Sequence, residues 1–266
     1  MDASVQTSST PYLMREARGG VVTLTLNRGE RFNPLSSAMI SALENELDAL
    51  VADASARVVV LAGAGRGFCA GHDLRELRAH GEDRPWQQKM FADCGRMMIK
   101  LTELPQPVIA RVHGIATAAG CQLVSMCDLA VASEEATFGL PGVKVGVFCT
   151  TPAVGVVRNV GRKRSMEMLL TADAYDARTA LSWGLVNRVV PGDKLDAEIA
   201  RFAELILARS RAVIAQGKRD FYQQVDRPLP GAYALAGESM AGCLSQADAA
   251  EGIDAFFAKR PARWES

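Results

Sequence analysis

The sequence predicts a mixed α/β chain on a largely parallel, buried sheet, followed by a helical C-terminal part. Two observations carry that expectation. Short runs such as residues 58–61 and 108–112 are apolar on both faces and alternate with helical-period segments, as strands covered by helices do. Beyond about residue 160 the strand pattern gives way to helices.

In order along the chain, residues 1–14 read as a disordered leader. Residues 21–26 form a β-branched strand bounded by Gly19-Gly20 and Asn27-Arg28-Gly29. Met39, Leu43, Leu47 and Leu50 recur at helical spacing over 36–53, with Ser36 or Ser37 as the N-cap. The strand at 58–61 runs into a glycine-rich loop at 63–67, and the helix at 86–103 is stopped by Pro105 and Pro107. A third strand at 108–112 leads through Gly114 to a helix near 118–126, and 129–132 is the fourth strand. Past residue 160, Leu195, Ile199, Phe202 and Ile206 mark one helix, residues 214–225 another and 253–257 a last one; 186–190 is the one strand expected there. No Pro/Gly/Ser linker separates the two parts, so the expectation is a single domain: core over 15–200, helical region over 201–266.

Lys+Arg and Asp+Glu both number 30 in 266 residues, a formal net charge of zero. That balance speaks against nucleic acid as a partner, which calls for a basic surplus, and against a polybasic membrane anchor. No apolar run is long enough for a transmembrane helix, and the polar start matches no targeting pattern, so the expected location is cytoplasmic. The six cysteines (69, 94, 121, 127, 149 and 243) include no Cys-x-x-Cys pair and read as reduced, buried apolar groups. His72, His80 and His113 form no metal-ligand cluster with them, and no cofactor or metal is expected.

Gly65-Arg66-Gly67-Phe68-Cys69-Ala70 follows a strand and matches the dinucleotide pattern literally. The acidic residue such a site needs about 20 positions later is replaced by Arg84-Pro85-Trp86-Gln87 at a helix start, which rejects that reading. What remains is a pair of strand-to-helix turns rich in small residues, 68–74 and 113–121. Free backbone N–H groups at such turns bind anions, and two facing turns can form a two-donor oxyanion hole.

With these turns the chain resembles the crotonase (enoyl-CoA hydratase/isomerase) superfamily, from about Arg15 to Trp264. The landmarks come in order: Asn33-Pro34-Leu35, then Gly67 through Glu76 around Gly71-His72-Asp73. Pro107 through Asp128 around Ala119-Gly120-Cys121 follows, then Phe138 with Pro141, Gly184-Leu185-Val186, and Glu251 through Phe256. The resemblance implies a crotonase (ClpP-like) spiral of ββα turns and C-terminal trimerisation helices, hence a homotrimer or homohexamer, acting on an acyl-CoA thioester in fatty acyl-CoA metabolism. Coenzyme A enters as part of the substrate. The implied catalytic groups are the backbone N–H groups of His72 and Ala119, which would polarise the thioester carbonyl and stabilise an enolate. The implied adenine pocket is Ala70, Asp73 and Leu74, with Phe256 and Lys259 supplied by a neighbouring subunit. Arg31, Phe32 and Pro141 complete the substrate- and CoA-binding set. With a net charge of zero, the CoA phosphates are expected to meet a few local cations such as Arg31 and Lys259.

One departure matters. The two glutamates of the family's hydratases align with Gln122 and Gly142, an amide and a residue without a side chain, and neither can act as a base. Standard hydration is therefore in doubt, and the residue set leaves open a decarboxylase-type reaction or a non-catalytic acyl-CoA-binding subunit. The His72 ring could act as acid or base near neutral pH, although the simpler reading is that only its N–H matters. Cys149, Lys144 and Glu135 near the third segment read as a core cysteine and solvated charges, and His113 as structural.

Overall fold

The computed structural model describes residues 10–265. The first strands, β1 (Leu13–Arg18) and β2 (Val21–Leu26), form an antiparallel hairpin that turns at Gly19 and Gly20, both at positive φ. Leu13 and Met14, read from the sequence as the end of a leader, thus open a strand. It escapes the apolar pattern because it is an exposed edge strand with charged residues at Arg15, Glu16 and Arg18. The rest of the expected leader, residues 1–9, lies outside the described residues. Helix α1 (Ser37–Ala52) is capped by the Ser36 side chain, which accepts the Met39 N–H, and it buries Met39, Leu43, Leu47 and Leu50.

Three ββα turns follow. Each has one strand in a main sheet, one three-residue strand in a second sheet, and then helix. They are β3 (Val58–Gly63) and β4 (Gly67–Cys69) with α2 (Leu74–Ala79) and α3 (Arg84–Glu103); then β5 (Val108–Val112) and β6 (Ile115–Thr117) with α4 (Ala119–Met126). The third is β7 (Leu129–Ser133) and β8 (Thr137–Gly139) with α5 (Thr150–Val160) and α6 (Arg162–Thr171). The chain closes with β9 (Tyr175–Asp176), α7 (Ala177–Trp183), β10 (Arg188–Val190), α8 (Leu195–Leu207), α9 (Arg211–Gln224), α10 (Leu229–Leu244) and α11 (Ala247–Phe257).

The main sheet runs β1-β2-β3-β5-β7-β10, parallel apart from the β1–β2 hairpin, and the second runs β4-β6-β8-β9, with β4, β6 and β8 parallel. Each turn therefore advances one strand in both sheets, a spiral. The main core lies between the sheets and α1, α3 and α4. A smaller core of Val58, Val60, Ile109, Val131, Leu195, Ile199 and Ala203 joins α8 to the other face of the main sheet. The boundary expected at residue 200 therefore cuts through α8, whose second half still belongs to the core. The strand expected at 186–190 shortens to β10, preceded by the buried Leu185 and Val186. Among the described residues no helix is long and apolar enough to cross a membrane.

α9 is tied to the core by a largely buried ion pair, its lysine side chain 6% and its aspartate 16% exposed. Lys218 Nζ, the first partner, donates to the carbonyls of Leu101 (2.8 Å) and Gln106 (2.9 Å) and to Asp128 Oδ2 (2.7 Å). Asp128 in turn accepts the Val108 N–H at 2.6 Å and the Tyr222 hydroxyl at 2.9 Å. Burial pulls the Lys218 ammonium below its usual range, against the pull of Asp128.

Candidate active site

β4, β6 and β8 are neighbours running the same way, so the segments leaving their C-terminal ends meet at one edge of the second sheet. These are residues 70–73, then Ala118 and Ala119, then Pro141 and Gly142. Asn33 pins the first of the three strands. Fully buried, it donates from Nδ2 to the carbonyls of Ala64, Gly67 and Phe68 and accepts the Arg28 N–H on Oδ1.

The turn after β4 is fixed by a bridge to Leu35, whose N–H donates to the Gly71 carbonyl (2.8 Å) and whose carbonyl accepts the Asp73 N–H (3.3 Å). In such a parallel bridge the flanking residues make the bonds, so the N–H of His72 points the other way. After β6, Ala118 takes a strained backbone conformation (φ 49°, ψ −120°), held by its N–H on the Gly139 carbonyl at 2.9 Å. Ala119 is then the first residue of α4, where an amide has no intrahelical acceptor. Among the described residues neither the His72 nor the Ala119 N–H has a hydrogen-bond partner.

The two turns touch backbone to backbone. Gly71 sits at φ 89°, and a Cβ there would lie 2.8 Å from Ala118 Cβ, 3.0 Å from the Thr117 carbonyl oxygen and 3.1 Å from Ala119 N. Gly120 leaves no more room, since its Cβ would fall 2.1 Å from the Cys69 carbonyl oxygen. The glycines let the turns close on one another.

A cleft of about 410 Å³ opens over these turns. Ala70, His72, Leu74 and Leu77 form one wall, Gln87 and Phe91 of α3 another, and Ala118 part of the floor. Pro141, Gly142 and residues between Val145 and Pro152 close it. Among the described residues no Asp, Glu, Lys or Arg lines it; the titratable side chains in its walls are His72 and Cys149. Burial pushes the Cys149 thiol above its usual range, with the Gly142 backbone pulling the other way. Sequence reasoning missed the contribution of α3, whose residues reach the cleft by packing rather than by any motif.

The expected site residues divide. Ala70, His72, Leu74, Pro141 and Gly142 line the cleft, with Ala119 beside them at the start of α4. Arg31 is not an unpaired cation: its Nη2 meets Asp73 Oδ2 at 2.6 Å, and Asp73 also caps α2 by accepting the Arg75 N–H. Phe32 lies beneath β4, its ring where a Gly67 side chain would be, and its carbonyl accepts the Ala70 N–H. Phe256 at the end of α11 and Lys259 just beyond it are not among the cleft's walls, and Phe256 is 78% exposed. His113 donates from Nε2 to the Gly65 carbonyl at 2.9 Å.

The Enoyl-CoA hydratase/isomerase family pattern matches residues 16–266. The chain belongs to this family. Among its relatives in the enoyl-CoA hydratase/isomerase family is the mouse (Mus musculus) protein named "Enoyl-CoA hydratase domain-containing protein 3, mitochondrial". It is 41% identical over 245 residues, 92% of this chain and 81% of the relative. A crystal structure of the human enoyl-CoA hydratase domain-containing protein 3 superposes with a TM-score of 0.92 at 39% identity, covering 95% of this chain and all of that one. The enoyl-CoA hydratase of Mycobacterium smegmatis gives 0.94 at 50% identity, with 97% and 100% covered. The fold is the crotonase spiral expected from the sequence.

Gln122 and Gly142, the two positions expected from the sequence to stand where hydratases carry glutamates, are both enclosed. Gln122 is buried one turn into α4, and its Oε1 has no partner among the described residues. Gly142 is more constrained than an absent side chain suggests. A Cβ there would lie 2.6 Å from the Val147 carbonyl oxygen and 2.7 Å from Cys149 Sγ. The space a glutamate would need is filled by the following loop, so the cleft is built around the glycine.

Proposed function

We propose that this family member binds an acyl-CoA thioester in the cleft and stabilises its enolate through the N–H groups of His72 and Ala119. The observation that carries the reading is the pair of unpartnered amides, brought together by the contact of Gly71 with Ala118 beside an uncharged cleft that His72 and Ala118 line. Inside such walls a developing enolate oxygen is stabilised far more by two fixed donors than it is in water. Hydration by a glutamate pair is not part of this reading, because Gln122 and Gly142 offer no base. A decarboxylase-type reaction is the second reading. The uncharged walls favour it, since a carboxylate held there loses hydration without gaining a cation.

The test is α-carbon exchange of butyryl-CoA in D2O, read by mass spectrometry beside turnover of crotonyl-CoA and methylmalonyl-CoA. Wild type is expected to wash deuterium into butyryl-CoA and to leave crotonyl-CoA unhydrated. Ala119→Pro removes one donor at the first residue of α4, where the missing N–H costs no helix hydrogen bond. Exchange should fall by about 10²–10³. An unchanged rate in this variant would sink the oxyanion assignment, and binding with no chemistry on any of the three esters would make the chain a silent acyl-CoA binder.

The homotrimer or homohexamer belongs to the same proposal. Support comes from the apolar groups that α9, α10 and α11 leave exposed, among them Phe221, Leu229, Tyr233, Met240 and Phe256. In that assembly Phe256 and Lys259 reach a neighbour's cleft. Light scattering on a sizing column should give three or six times the 28.5 kDa chain mass; a monomer would refute it.

A further inference from the structure

We infer that the cleft takes an acyl group of medium length, about eight carbons without polar substituents, a substrate class that rests on the acyl-thioester reading above. The apolar character of its walls does not stop inside. Leu74, Phe91, Val145, Val147 and Phe148 all line the cleft and are all exposed, so one apolar surface runs from the interior out to the rim. Single exposed apolar residues are ordinary. Several around one opening, drawn from α2, α3 and the segment between β8 and α5, mark a binding surface. Val145 and Val147 flank Gly146, which turns that segment at φ 76° and has nothing within 4 Å of its Cβ position.

These walls suit a hydrocarbon chain and not the pantetheine arm of coenzyme A. That arm carries amide groups, which need partners once they leave water. The polar side chains in the walls offer few. Gln87 has its Nε2 engaged by the carbonyls of His80 (2.8 Å) and Gly81 (3.0 Å), and the Nε2 of His72 is enclosed. Burial keeps Cys149 a neutral thiol, and Thr151 adds a hydroxyl. A chain of methylenes calls for no partner at all.

The length follows from the volume. A chain carbon with its hydrogens takes about the share of space of a liquid water, roughly 30 Å³, so 410 Å³ holds about thirteen non-hydrogen atoms. The thioester carbonyl and sulfur take about three of these, and the bends of a flexible chain leave some space unfilled. A chain of about eight carbons brings its end to the rim. A butyryl group is too short to cover Val145, Val147 and Phe148, and the end of a dodecanoyl group stands outside in water.

Calorimetric titration of the full chain with butyryl-, hexanoyl-, octanoyl- and dodecanoyl-CoA is the experiment. The dissociation constant should fall about fourfold per added methylene, about 10²-fold from butyryl to octanoyl, and level off by dodecanoyl. Val147→Asp puts a carboxylate on the rim at an exposed position, so the core is untouched. Its charge also repels the CoA phosphates of every ester, which makes the octanoyl-to-butyryl ratio the readout; that ratio should drop about tenfold. Val51→Asp places the same charge at an exposed position of α1 outside the cleft walls and should keep the wild-type ratio. A gain below about threefold from butyryl to octanoyl overturns the length assignment and leaves the acyl-CoA reading standing, as does a gain that continues undiminished to dodecanoyl. A ratio unmoved by Val147→Asp overturns it too, because the chain then runs elsewhere. If none of the esters binds, the acyl-CoA reading falls and this one with it.

Discussion

Gly71→Ala is expected to lower α-carbon exchange by about 10²–10³ without abolishing the fold. The reason is geometric. The added methyl would sit 2.8 Å from Ala118 Cβ and 3.1 Å from Ala119 N, so the two turns must part by several tenths of an ångström. That movement acts on the spacing between the His72 and Ala119 amides, and misplacements of an ångström commonly cost about 100-fold. An L-residue at φ 89° adds backbone strain of about 1–2 kcal/mol. Gly19→Ala separates the two effects, for Gly19 also has positive φ (56°) but nothing within 4 Å of its Cβ. It should lose stability and keep its exchange rate. Exchange assays and melts on both variants check this, and a Gly71→Ala protein with wild-type exchange would contradict it.

Lys218→Met should cost about 3–5 kcal/mol, because it leaves Asp128 buried without its cation and strips the Leu101 and Gln106 carbonyls of a donor. Methionine keeps most of the volume, so the loss reports the charge and not a cavity. Tyr222→Phe removes only one hydroxyl bond to the same carboxylate and should cost about 1 kcal/mol. Chemical denaturation of the pair checks the ranking, and equal losses would show that the ion pair does not anchor α9.

The parts of this fold that announced themselves were those with a local physical cause. β3, β5 and β7 are apolar on both faces because helices or a second sheet cover them, and α1 shows both its buried stripe and its Ser36 cap. The three-residue strands β4, β6 and β8 are too short to show a period, so the residue pattern alone showed only strands alternating with helices, and the ββα repeat came with the family resemblance. α10 hid for another reason: Gly231, Gly237 and Gly242 weaken its helical signal, and its apolar groups face outward. In the candidate site, Gly71-His72-Asp73 and Ala119-Gly120 were legible as small-residue turns. The Arg31–Asp73 pair, Phe91 beside the ring of His72 and Cys149 against Gly142 were not, since each joins residues from separate elements through tertiary packing.

The stacking of β4, β6 and β8 also bears on how such a cleft can change over evolutionary time. Each turn of the spiral delivers its own segment to the same edge, and each is braced by its own contacts: Leu35 for the first, Gly139 for the second, the Val147–Cys149 stretch for the third. Duties at that edge are thus modular. A change in the third segment, such as one at Gly142, can therefore leave the two proposed donor amides where they are.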